Sequence, residues 1–144
     1  MVLKIAAAIL LGVVLVTGAY ALKLLFTEDL YVKRGSFGYY VTIRSSTIKS
    51  FPLLKVVGEE DYYSSCGDGP KLPANGIRYT SSENPQELKH SIEEYLISRG
   101  FSKEENSREG GTYVQPDRET SFDLMIMPEN GLQRVVATEN YNVH

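Results

Sequence analysis

The chain has 144 residues, and 118 remain once the first 26 are set aside: enough for one domain and too few for two. Beyond residue 26, 13 basic residues stand against 18 acidic ones, five net negative charges, and the basic ones are scattered, which argues against nucleic acid as a partner. A single cysteine, Cys66, excludes an internal disulfide, so a hydrophobic core alone must hold the domain.

The first 26 residues read as a signal or anchor helix. Positions 5–22, from Ile5 to Leu22, carry no charge and follow Lys4. Eighteen residues make about 27 Å of helix, close to the roughly 30 Å of a bilayer's hydrocarbon core. Lys23 is placed to snorkel, and Leu24, Leu25 and Phe26 extend the apolar stretch. Ala19-Tyr20-Ala21 matches a signal-peptidase site, with Leu22 as the first mature residue. A single-pass anchor and a cleaved signal are therefore both open, and the anchor is preferred because the apolar run continues past the site. No cysteine stands directly after the run, which excludes a lipoprotein signal. Lys33 and Arg34 on the C-terminal side weaken the positive-inside bias. The signal-like design still favours a domain outside the cytoplasm; cleavage would make it periplasmic or secreted.

Residues 27–38, with charges and glycines, read as a linker, and 39–144 as the domain. Tyr39 to Arg44 is aromatic and β-branched and predicts a strand; Leu53 to Val57 predicts a second, stopped at Gly58, and Tyr62-Tyr63 a short third. From Cys66 to Gly76, three glycines and two prolines predict a loop, and Ile77 to Thr80 a strand. The clearest element spans about 85–99. Asn84 suits the N-cap, Pro85 the first turn, and Glu87 a capping box. Leu88, Ile92, Tyr95 and Leu96 share one helical face, and Gly100 with Phe101 suits the stop. Residues 102–111 read as a loop and Thr112 to Gln115 as a strand. Phe122, Leu124 and Ile126 alternate with polar or sulfur-bearing neighbours, Leu132 to Thr138 is strand-like, and Asn130-Gly131 between them signals a hairpin. Residues 139–144 read as a fraying tail. The fold class is α+β: the N-terminal helix, then a mainly antiparallel sheet covered by one amphipathic helix.

No catalytic motif assembles. Cys66 would need a base, and only His90 and His144 exist; His90 falls off the apolar helical stripe and faces solvent. A lone thiol of this kind is expected to be buried or half-buried. One Cys and two His cannot close a structural zinc site, and Glu59-Glu60-Asp61 lacks the spacing of a calcium loop, so no metal and no cofactor is expected. Gly67-Asp68-Gly69 lacks a phosphate-loop pattern. The same loop is the best candidate contact surface. It is stiffened by Pro70 and Pro73, flanked by Tyr62 and Tyr63, and carries Cys66, Asp68 and Lys71. These residues point to a non-enzymatic single-span envelope protein, attached to the membrane through residues 5–22 and presenting an interaction or accessory-subunit module to a protein partner. The alternatives are a cleaved periplasmic or secreted small-ligand-binding protein and a thiol-dependent enzyme using Cys66.

Overall fold

A computed structural model describes residues 2–67, 71–105, 111–117 and 119–141. The fold is α+β. A long apolar helix, α1 (Val2–Leu25), precedes a seven-stranded antiparallel sheet: β1 (Leu30–Val32), β2 (Val56–Ser65), β3 (Ala74–Ser81), β4 (Ser102–Lys103), β5 (Thr112–Val114), β6 (Thr120–Glu129) and β7 (Leu132–Tyr141). Two short helices, α2 (Phe37–Thr42) and α3 (Ser46–Lys49), lie between β1 and β2, and α4 (Pro85–Ser98) follows β3. The strand order is β1-β2-β3-β7-β6-β5-β4. Two meanders, β1-β2-β3 and β4-β5-β6-β7, are thus joined side to side along β3 and β7, and α4 carries the chain from one to the far edge of the other.

The core lies on one face of the sheet. Leu88, Ile92 and Leu96 of α4 are fully buried among Ile77, Tyr79, Phe122, Leu124, Val135 and Ala137, the inward positions of three neighbouring strands. Each such side chain contributes about 1.5–3 kcal/mol through removal from water. Phe51 stacks on Phe122, and Phe101 meets Phe122 edge-on. The stop of α4 follows its sequence: Gly100 has φ +88°, and Phe101 N–H donates to Leu96 O at 3.1 Å. The start differs in one detail. Asn84 Oδ1 accepts from Gln86 N at 2.9 Å, but Asn84 N–H donates to the Glu83 carboxylate at 3.0 Å, so Glu83 takes the place expected of Glu87. The Asn130-Gly131 hairpin is present, with φ of +52° and +79° on the two residues and Glu129 paired to Leu132.

Several expectations need correction. Residues 39–44 are not a strand. Ser36 caps a helix by accepting from Tyr39 N at 3.2 Å, and Tyr39 and Thr42 turn into the core while Phe37 and Tyr40 turn out. Burial at helical spacing outweighs the β-propensity of the segment. Leu53-Leu54 lead into β2 without joining it. Gly58 does not end that strand; with φ +84° it sits where the β2–β3 register shifts, and Tyr62-Tyr63 belong to the same strand. The linker segment contains β1, paired to β2 through Tyr31 and Tyr63, and Ala74–Gly76 already lie in β3. Ser102–Lys103 form an edge strand where a loop was expected, and Glu139–Tyr141 continue β7 where a tail was expected, paired with β3 and β6.

α1 is the helix predicted for residues 5–22, extended at both ends. Every described side chain from Lys4 to Tyr20 is exposed, and the helix is long and apolar enough to cross a membrane or to serve as a signal. Its last turns touch the domain: Tyr20 stacks on Phe37 at 6.0 Å between ring centroids, and a Cβ on Gly38 would meet Val32 Cγ1 at 2.9 Å and Leu24 Cδ1 at 3.9 Å.

Candidate functional site

The loop residues singled out from sequence separate in space. Tyr62 points into the core, 1% exposed, edge-on to Tyr39 at 4.8 Å, and burial pushes its phenol up to about 12. It cannot serve as a contact residue. Tyr63, next in β2, points to the opposite face, where its ring lies over Gly76 of β3 and its hydroxyl donates to Thr138 Oγ1 at 3.5 Å. Tyr31 packs beside it, with the Arg78 guanidinium 5.2 Å from the Tyr31 ring. Cys66 is free and exposed, contrary to the expectation for a lone thiol, because β2 ends at Ser65 and releases the chain into a turn; its Sγ–H donates to Gly67 O at 3.6 Å. Lys71 is exposed and pairs with Asp29; that carboxylate raises the ammonium's pKa. Asp68 and His144 lie outside the described residues. His90 is exposed on α4, as expected, beside Glu94 at 3.3 Å. Among the described residues no three His, Cys, Asp or Glu side chains gather as metal ligands.

What the loop borders is a cavity of about 230 Å³ between the end of α1 and the sheet. Leu25, Arg44, Ser64, Cys66, Asn75 and Tyr141 are among the residues lining it. Behind its wall is a buried polar cluster. Asn75 Oδ1 accepts the backbone N–H of Arg44 at 2.7 Å and of Ser45 at 3.0 Å, while Nδ2 donates to Thr42 O and Ser64 Oγ, both at 3.1 Å. One side chain thereby satisfies the backbone of the α2–α3 turn. The Glu139 carboxylate, 6% exposed, accepts from Ser45 Oγ, from Thr47 Oγ1 at 3.4 Å and from Tyr141 OH at 3.4 Å. Three hydroxyl donors hold it, and among the described residues no cation bridges it. Burial and then the Glu139 charge push the Tyr141 phenol up to about 12. The lining of the cavity thus combines a guanidinium, a thiol and an uncharged phenol with the apolar Leu25, Pro73 and Ala74.

Sequence reading missed Ser45, Asn75, Glu139 and Tyr141. The available signal was period two: Glu139 and Tyr141 continue the inward series Val135, Ala137.

The opposite sheet face is open. Among the described residues no helix lies over it. Met125 is exposed, and Val136, Met127, Tyr63 and Thr138 are half-buried. At one end lies an ionic ladder: Lys33 bridges Glu59 at 2.9 Å and Asp61 at 2.8 Å, Arg78 meets Asp61 at 3.0 Å, and Arg134 meets Glu129 at 3.2 Å. Lys33 first, then Arg78, hold the Asp61 carboxyl below its usual range. No family model, curated protein or solved structure matches the chain.

Proposed function

We propose that this is a non-enzymatic single-span envelope protein whose α+β domain presents the open face of its sheet to a protein partner at the membrane. The observation that carries the reading is the contrast between the two ends of its exposed apolar surface. α1 is apolar on every side and is exposed from Lys4 to Tyr20, packing on the domain only in its last turns, so it calls for lipid. The sheet buries one face under its helices and leaves the other to a strip of Tyr63, Val136, Met125 and Met127 bordered by paired charges. A retained anchor fits the packing of Tyr20 on Phe37, since cleavage after Ala21 would remove Tyr20. The signal-like design of the segment supports a domain outside the cytoplasm.

Site-specific photo-crosslinking of the full chain in its native membranes tests the partner. A crosslinker at Met125, on the open face, is expected to give a defined heteromeric adduct, and one at Glu94, on the solvent side of α4, none. Monomer alone from both positions under several lysis conditions would overturn the reading. The cavity beside Cys66 favours one second reading, a cleaved periplasmic or secreted protein that binds a small polar ligand. An N-terminus at Leu22 in the native protein would select it.

A further inference from the structure

We infer that α2 and the rings around it form a collar at the boundary between the headgroups and the hydrocarbon core of the same bilayer that α1 crosses, so that the domain is seated on the membrane and not suspended above it. This rests on the reading of α1 as a span and adds a second contact with lipid.

The inference comes from depth. Tyr20 is five residues before Leu25, about 7.5 Å back along the helix axis. Phe37 stacks on Tyr20, not on the end of the helix. The start of α2 is therefore drawn down beside the last turn and a half of α1. Lys4 and Lys23 are about 28 Å apart along a helix, close to the thickness of a hydrocarbon core, which sets the boundary of a spanning α1 near Lys23. Tyr20 and Phe37 then lie just inside that boundary, at the depth where amphipathic helices and aromatic belts settle.

The side chains of α2 are sorted accordingly. Tyr39 and Thr42 face the core at 6% and 3% exposure, while Phe37 and Tyr40, three residues apart, face outward at 45% and 68%. Phe26, at the end of α1, is 79% exposed. Exposed aromatic rings on a short helix are costly in water and favourable at a lipid boundary. Lys23 and Arg34, also exposed, flank these rings in the chain and suit phosphate headgroups. The occupant is lipid and not a second protein, because the collar is continuous with α1, the surface that lipid itself would cover.

The chain contains no tryptophan, so a single introduced Trp is a clean reporter. Four full-length variants, Phe37→Trp, Tyr40→Trp, Leu15→Trp and Glu94→Trp, would be reconstituted into phosphatidylcholine vesicles with plain acyl chains or with chains brominated both near the carbonyl end and at mid-chain. The inference expects blue-shifted emission and a marked loss of intensity in brominated lipid at positions 37, 40 and 15, and water-like, unquenched emission at 94. Water-like, unquenched emission at 37 and 40 with quenching at 15 would overturn the collar and leave the span intact. Blue-shifted but unquenched emission at 37 and 40 would also overturn it, by showing protein over the rings. An unquenched Trp at 15 would overturn the span itself, and the collar with it.

Discussion

Gly76 shows how one position ties two strands together. A Cβ there would collide with the Tyr63 ring and stand 2.9 Å from Ala137 O, on both sides of β3. The absent side chain lets the Tyr63 ring lie flat across the strand. Gly76→Ala is expected to destabilise the full chain by about 1–3 kcal/mol in urea titration, with only partial recovery in the Tyr63→Ala background, since the backbone contact remains. Asn75, its neighbour, faces the other way. Asn75→Ala would orphan the N–H groups of Arg44 and Ser45 and should cost about 2–3 kcal/mol, the upper range for a buried polar group left unpaired. Cys66 invites a different measurement. Its exposure means that the native protein should react with iodoacetamide without denaturant; a reaction that requires denaturant would contradict the geometry.

At the scale of elements, legibility followed the range of the forces involved. α4 was readable because its cap, stripe and stop are local, and the β6–β7 hairpin because Asn-Gly supplies positive φ cheaply. α2 was not, because Tyr39, Tyr40, Val41 and Ile43 favour a strand and only burial of Tyr39 and Ile43 against the distant β2 and β3 selects a helix. The cavity was illegible for the same reason. It joins residues from α1, the α2–α3 turn, β2, β3 and β7, and no spacing along the chain encodes that meeting. The sheet also has a pH signature. Tyr62 and Tyr79 are pushed up to about 12 by burial, as Tyr141 is by burial and Glu139. An unfolded tyrosine titrates near 10, so between about pH 10 and 12 the unfolded state has released protons that the native state keeps. Stability is therefore full below about pH 10 and falls as pH rises toward 12. Tyrosinate absorbance should rise in two steps, exposed rings first and buried rings only together with loss of the sheet signal in circular dichroism. A single step near pH 10 with the sheet intact would contradict the burial.

The whole molecule joins a helix that needs lipid to a domain that folds with one sheet face covered. α1 makes its described contacts with the domain only in its last turns, through residues such as Tyr20 and Leu24. Retention of that helix is the central claim. The most direct test is peptide mass mapping of the native protein recovered from membranes after an alkaline carbonate wash. A retained anchor leaves the protein in the washed membrane pellet, with a peptide in which Ala19-Tyr20-Ala21 is still joined to Leu22. A mature N-terminus at Leu22, with the protein in the soluble fraction, would contradict it.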